Sequence, residues 1–364
     1  MDFGDAKPEQ VAQAAMDEAV KLIAQGLDAL LRGMDSDSGY DWSRGYPAKN
    51  SYFVHAGNLG RSLLDICRQP IVYRGTKFEP WRGLAESYHS AMLQCILDYE
   101  SRTGKHFNKG MVYANLGVAQ IANGKIDDGV TSLLAADVED QDFTDRDPHH
   151  ILNEPLWWQF EKPHVFDYLL SLCAETCHGM HITLDQTFLV NFMDSVELQD
   201  RLLLESSIWT LQDNLAAVAR LNSVHARSGL LSALRNTCWL IESLLRRSPA
   251  GQALMKDNPR ATLYDHICKA VGGKGVSFPT DCLSLCASTA QQFADSLNKI
   301  LRSSVDPKVR ALYCLVLARN YTGHEFDPTP NPDWFPQYEQ VVAQVVSAMF
   351  YLKSISALYA RPRP

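Results

Sequence analysis

Residues Arg310–Phe326, with the sequence RALYCLVLARNYTGHEF, form the stretch around which the rest of the chain is organised. The apolar residues of its first half recur at steps of three and four, which is the spacing of an amphipathic helix. The residues before it, Asp306 and Pro307, are typical of a helix start, with Asp as the N-cap and Pro at the first helical position. We therefore predict a helix over residues 307–321.

The end of this helix carries the residues on which a functional interpretation depends. Arg319 and Asn320 fall in its last turn, and His324 follows Arg319 by five positions, about 140° around an ideal helix. Gly323 is predicted to end the helix in a left-handed conformation, so that His324 folds back toward Arg319 and Asn320. The proline-rich segment 327–333 prevents the helix from continuing.

A histidine and an arginine at the C-terminal end of a helix can act on a phosphodiester. The negative end of the helix dipole favours imidazolium, which keeps His324 able to donate a proton near neutral pH. The guanidinium of Arg319 can hold a phosphate through two hydrogen bonds. Cleavage of RNA by its own 2′-hydroxyl needs a base, an acid and a cation for the charged transition state. One chain supplies one such histidine and arginine, whereas two chains related by a two-fold axis would supply both proton-transfer groups.

Almost every long segment of the chain has a helical hydrophobic period, which predicts an all-α fold. The chain length and a change to a more regular pattern predict two domains, an acidic helical domain over 1–195 and a helical bundle over 196–364. Residues 34–58, rich in Asp, Ser, Gly and Tyr, are predicted to be a loop. Further helices are predicted at 11–33, 56–68, 82–102, 196–222, 226–247, 282–304 and 336–360.

Composition indicates a folded cytoplasmic protein with no membrane association. Hydrophobic residues make up 46% of the chain, yet no apolar run approaches the roughly 18 residues that a membrane span needs. The nine cysteines have no framework spacing, which favours reduced thiols over disulfides. Residues 173–181, CAETCHGMH, gather two cysteines and two histidines, but no second ligand pair lies elsewhere in the chain. We therefore favour buried cysteines and a Gly179 helix cap over a zinc site, and predict no metal or other cofactor.

The net charge of −8 is distributed unevenly along the sequence. Residues 1–199 hold 16 basic and 29 acidic side chains, whereas residues 200–364 hold 18 basic and 13 acidic ones. An excess of positive charge in one half of a chain is a hint of a polyanionic partner such as RNA. The alternative, that an acidic and a mildly basic domain are simply joined, explains the same counts.

Residues 113–136, YANLGVAQIANGKIDDGVTSLLAA, predict a helical hairpin. Gly117 and Gly129 would let two antiparallel helices approach closely, and Asn123-Gly124 supplies the turn between them. The hairpin, near 111–137, resembles one tetratricopeptide unit, but no second copy of comparable quality lies 34 residues away on either side. Since a lone unit cannot bury its own face, an ordinary helical hairpin in an irregular domain remains the alternative.

The segment RNYTGH resembles the Arg-x4–6-His signature of HEPN domains (higher eukaryotes and prokaryotes nucleotide-binding), in the form with a polar residue after the arginine. The spacing alone recurs at Arg82/His89, Arg220/His225, Arg260/His266 and Arg319/His324. Only the last has an apolar helix before it, Asn after Arg and Gly before His. The stretch LSALRNTCWLIESLLRRS also resembles the long first helix of such domains, and the resemblance covers roughly residues 200–364.

This resemblance implies a helical bundle that forms a homodimer, with Arg319 and His324 of both subunits in one metal-independent ribonuclease site. Asn320 would be a supporting hydrogen-bond donor, and Glu242 is the candidate for the acidic residue on an earlier helix. Phe326 stands where a nucleotide-modified subgroup of the family has Tyr, so that form of control is not expected at this position.

Such an enzyme would be a stress or phage-defence effector, comparable with a toxin, whose acidic N-terminal domain binds a protein or small-molecule activator. Two alternatives stay open from the sequence. The chain could be a non-catalytic adaptor that binds a partner protein or nucleotide, and Arg319 could pair with Glu325 or Asp327 and leave His324 on a surface loop.

Overall fold

The computed structural model describes residues 17, 20–21, 23–33, 51–67, 79–141, 166–185, 187–188, 192, 197–221, 223–271, 289–324, 337–355 and 358. Helices dominate this part of the chain, and no strand occurs in it, which confirms the all-α prediction. Residues 23–33 are helical. The helices that follow are α1 (Ser51–Cys67), α2 (Glu79–Thr103), α3 (Gly110–Ala122), α4 (Ile126–Gln141), α5 (Phe166–Gly179), α6 (Leu198–Leu221), α7 (Val224–Arg247), α8 (Pro249–Asp257), α9 (Leu263–Ala270), α10 (Ala290–Arg302), α11 (Pro307–His324) and α12 (Tyr338–Ser354).

The chain divides into two compact units, Met1–Phe160 and Glu161–Pro364. This division lies earlier in the sequence than the predicted boundary at residue 195. The difference is explained by α5, which packs against α11 and α12 and therefore belongs with the second unit. Its buried Cys173 and Cys177 thiols contact the Ala343 carbonyl and the Ser347 hydroxyl of α12, at 3.6 and 3.5 Å.

The first unit contains the predicted helical hairpin as α3 and α4. A Cβ atom on Gly117 would lie 2.8 Å from the Gly129 carbonyl oxygen, and one on Gly129 would lie 2.8 Å from the Gly117 oxygen. The two backbones therefore approach as closely as the glycines allow. Gly124 in the turn has a φ of +82°, which an L-residue rarely adopts.

In the second unit, α11 is the central helix. Every residue of Ala311–Ala318 is at most 1% exposed, so this part of the helix is buried all round and not only along one stripe. Helices α5, α7, α9, α10 and α12 all contact it. A helix that is apolar on every face is stable only inside a shell of other helices, and this requirement organises the unit.

The C-terminal end of α11 differs from the prediction. The helix continues through Gly323 to His324, and Gly323 does not have a positive φ angle. Glycine permits a left-handed residue but does not require one, and here helical hydrogen bonding continues past it. Arg319 and His324 therefore lie on one unbroken helix, about 140° apart around its axis.

The sequence contains start signals for two short helices, α8 and α9, that were not predicted. Ser248 caps α8, with Pro249 at its first position, and Thr262 with Asp265 forms a capping box for α9. Helix α1 begins at Ser51, inside the predicted loop 34–58, and α10 begins at Ala290, later than predicted. Residues 272–288 and 325–336 lie outside the described part of the chain.

Within the described residues, no helix has the length and apolar character to cross a membrane.

Candidate functional site

The structure brings together two of the predicted site residues, Arg319 on α11 and Glu242 on α7. Arg319 Nε donates a hydrogen bond to Glu242 Oε2 over 2.6 Å. The Glu242 side chain is 7% exposed and that of Arg319 is 21% exposed, so this ion pair is largely removed from water. The contact fixes the guanidinium near the C-terminal end of α11. The alternative of Arg319 pairing with Glu325 or Asp327 concerns partners outside the described residues.

Glu242 also binds a second arginine, which the sequence analysis missed. Glu242 Oε1 accepts hydrogen bonds from Arg246 Nε at 3.1 Å and Arg246 Nη2 at 2.7 Å. The carboxylate therefore lies between two guanidinium groups, one on each oxygen, and each bond is charge-assisted. The i, i+4 spacing of Glu242 and Arg246 on one helix was a signal that could have identified this partner.

Asn320 and Gly323 lie beside the Arg319 guanidinium. Arg319 Nη1 donates to Asn320 Oδ1 over 3.5 Å, the outer limit of a hydrogen bond, so toward Arg319 Asn320 is an acceptor and not the donor that the resemblance implied. A Cβ atom at position 323 would lie 3.8 Å from the same Nη1. The side chain of Arg319 thus extends along α11 toward its last turn, which ends at His324. The His324 side chain is outside the described part of the structure.

His266 on α9 is the second histidine of the candidate site. It is 2% exposed, and neither ring nitrogen has a hydrogen-bond partner in the structure. Burial lowers its pKa, the Arg246 charge lowers it further, and Glu242 and Asp265 oppose the shift. His266 is therefore neutral at neutral pH and belongs to the electrostatic surroundings of Glu242. In the sequence His266 follows Arg260 at the Arg-to-His spacing, but the arginine whose charge lowers the pKa of His266 is Arg246.

The histidines of two other Arg/His spacings, His89 and His225, have different surroundings. His89 is buried in the first unit against Gly60 and Tyr88, and burial lowers its pKa to about 4. Arg220 and His225 are both exposed.

Cys238 lies fully buried near Arg319 and Glu242, and burial raises its pKa, which makes its thiol unreactive. Among the described residues, no group of three or more His, Cys, Asp and Glu side chains is placed to hold a metal ion.

The positive charge predicted for the C-terminal half is local. Residues 161–364, the whole second unit, contain 19 basic and 19 acidic side chains, because the segment 161–199 adds six acids and one lysine. The unit is therefore neutral, and any affinity for a polyanion must come from clusters such as Arg246 with Arg319.

No protein-family model, curated protein or solved structure matches this chain. The site is therefore defined by its own geometry: a buried carboxylate that holds two arginines at one end of a central helix in an all-α unit.

Proposed function

We propose that the protein is a metal-independent endoribonuclease that acts as a HEPN-type homodimer, with a composite Arg/His site. The observation that carries the proposal is the contact between Arg319 and Glu242 at 2.6 Å. Three features of the sequence pattern support it further: the apolar helix before Arg319, the polar residue after it and the histidine five positions later.

In this proposal, Arg319 holds the scissile phosphate and stabilises the charge that develops on it in the transition state. Glu242 is a positioning residue, because its carboxylate accepts a hydrogen bond from Arg319 Nε and so sets the orientation of the guanidinium. Asn320 supports the same guanidinium from the side. His324 transfers a proton, either from the attacking 2′-hydroxyl or to the leaving 5′-oxygen.

The unbroken end of α11 supports the requirement for two chains. Positions 319 and 324 face different sides of one helix, so the backbone does not direct both side chains to one point. A two-fold axis near the end of α11 would bring His324 of each subunit toward the shared site and supply two proton-transfer groups and two cations. The first unit, with 15 basic and 23 acidic side chains, would then bind an activator or partner and not the RNA.

The proposal is tested by incubating the purified protein with RNA in EDTA. We expect endonucleolytic products with 2′,3′-cyclic phosphate ends, and loss of cleavage in both Arg319→Ala and His324→Ala. Retention of full cleavage by both variants would refute the assignment, as would a strictly monomeric active enzyme.

Arg247→Ala is the matched control for Arg319→Ala. Arg247 Nη2 pairs with buried Asp200 Oδ1 at 2.6 Å, so the variant also loses an ion pair within the second unit. It should cleave RNA at the rate of the unaltered protein. Equal losses in both arginine variants would show that the effect is on folding and not on catalysis.

The second candidate function, a non-catalytic adaptor, has one observation in its favour, the well-formed α3–α4 hairpin. In this function, the partner would dock near Asn115 and Gln120 of α3. Gln120 Oε1 accepts a hydrogen bond from Ser132 Oγ at 2.7 Å, so this side chain already joins the two helices of the hairpin. The adaptor function predicts no cleavage under any condition and a partner that is lost on substitution of Asn115.

A further inference from the structure

An exposed tryptophan lies on α7 beside the candidate site. Trp239 is 49% exposed and is the one aromatic residue among the exposed large hydrophobic side chains of the described chain. Its neighbours on the helix, Cys238 and Ile241, are fully buried. An exposed indole offers a flat surface on which a planar group can stack, so the groups around Trp239 indicate which ligand would suit it.

The indole and the Arg319 guanidinium converge on Gly323. A Cβ atom at position 323 would lie 3.4 Å from Trp239 Nε1 and 3.8 Å from Arg319 Nη1. Because residue 323 has no side chain, nothing from that position separates the two groups. An aromatic surface is therefore adjacent to the cation that holds the phosphate in the proposed enzyme.

A positive charge contacts Trp239 directly. The Arg235 guanidinium carbon is 5.4 Å from the centre of the indole ring, a cation–π contact. Arg319, whose guanidinium approaches the same Gly323 as the indole, adds a second positive charge, which is paired with Glu242. Single-stranded nucleic acid is bound by this combination, in which bases stack on aromatic side chains and arginines hold the backbone.

We infer that Trp239 is a stacking platform for one base of a single-stranded RNA, next to the phosphate that Arg319 holds. This inference rests on the proposed ribonuclease function, because that function places the phosphate at Arg319. Arg235 lies against the indole and continues the stack with its planar guanidinium. Stacking of this kind accepts any base, so the platform provides affinity and register and not sequence specificity.

The inference is tested by binding measurements on a short single-stranded RNA in which 2′-O-methyl groups block cleavage. Fluorescence anisotropy should show that Trp239→Ala weakens binding roughly 5- to 100-fold, the effect of losing one stacked base. Trp239→Phe keeps an aromatic face and should bind within about threefold of the unaltered protein. Val224→Ala, which removes another exposed apolar side chain of α7, is the control and should bind normally.

The outcomes separate the platform from the enzyme. Unchanged affinity in Trp239→Ala, in a protein that cleaves RNA, overturns the platform and leaves the ribonuclease function standing. Binding that depends on Trp239, in a protein that does not cleave unblocked RNA, supports the platform and refutes the ribonuclease. Sedimentation should show the same oligomeric state for Trp239→Ala and the unaltered protein; a shift from dimer to monomer would show that a second copy covers the indole and would overturn the inference.

Discussion

Arg319 Nε and Glu242 Oε2, which belong to residues 77 positions apart in the sequence, lie 2.6 Å from each other. The contact joins the central helix α11 to α7 and places a guanidinium at one end of α11. Because the same carboxylate also binds Arg246, Glu242 both stabilises the unit and orients Arg319. These two roles have different experimental consequences.

The stabilising role predicts that Glu242→Gln lowers the free energy of unfolding of the second unit by about 2 kcal/mol, because two arginines lose a mostly buried charged partner. Differential scanning calorimetry would show this as a lower transition midpoint. Asp28→Asn, which breaks the exposed Asp28–Arg32 pair at 2.9 Å, should change stability by less than about 0.5 kcal/mol. Equal effects would contradict the burial argument.

The orienting role predicts a graded loss of ribonuclease activity. Arg319→Lys keeps the charge but loses the planar fork, and we expect its kcat to fall at least about 100-fold. Asn320→Ala should lower kcat by roughly tenfold, since its contact with Arg319 is long. Single-turnover cleavage of a labelled RNA measures both. An Arg319→Lys enzyme with normal kcat would show that the fork geometry has no role.

The helical conformation of Gly323 predicts that Gly323→Ala is tolerated. The nearest atom to the new methyl group would be Trp239 Nε1 at 3.4 Å, and alanine is favoured over glycine within a helix, by about 0.5–1 kcal/mol. Gly129→Ala is the contrasting variant, because its Cβ would lie 2.5 Å from Ile121 Cγ1 and 2.8 Å from the Gly117 oxygen. Calorimetry should show a higher midpoint for the first and a lower midpoint for the second. A strongly destabilised Gly323→Ala would indicate a left-handed residue after all.

His89 predicts that the first unit loses stability in mild acid. Burial lowers its pKa from 6.5 to about 4 in the folded state, so the unfolded chain takes up the proton first as the pH falls. The His89 contribution is therefore complete above pH 6.5 and decreases progressively toward pH 4, by up to about 3 kcal/mol.

Thermal unfolding of the unaltered protein and of His89→Leu, followed between pH 7 and pH 4, measures this contribution. The unfolding midpoint of the variant should depend less on pH than that of the unaltered protein, because leucine does not titrate. Parallel profiles for the two proteins would assign the acid sensitivity to other groups.

Local signals were sufficient for much of the fold. The start of α11 at Pro307, the close α3–α4 hairpin with its Asn123-Gly124 turn and the helical period of most segments were all predicted. The prediction for the end of α11 was wrong, and the assignment of α5 to the first domain differs from the contacts that α5 makes. Gly323 was expected to end α11, but the helix continues past it, and α5 was placed with the first domain although its buried thiols contact α12.

The sequence indicates some of the residues around Arg319 but not others. The sequence predicts Arg319, Asn320 and Glu242 as site residues, and in the structure Arg319 contacts both of the others. His266 was not predicted because α9 was not predicted. Arg246 was missed although it follows Glu242 by four positions on α7, a spacing typical of an ion pair within a helix. The role of His324 and the ribonuclease activity remain predictions that the experiments above test.

The sequence by itself determined that the chain is helical and that a helix with a long apolar run begins at Pro307, because periodicity and capping act over a few residues. Only the tertiary structure decided which charges meet. The buried carboxylate of Glu242 needs partners because an unpaired charge away from water is costly, and the packing of α7 and α9 around α11 supplies Arg319 and Arg246 while it buries His266 nearby. Such long-range pairing depends on how the helices pack, which no local pattern specifies.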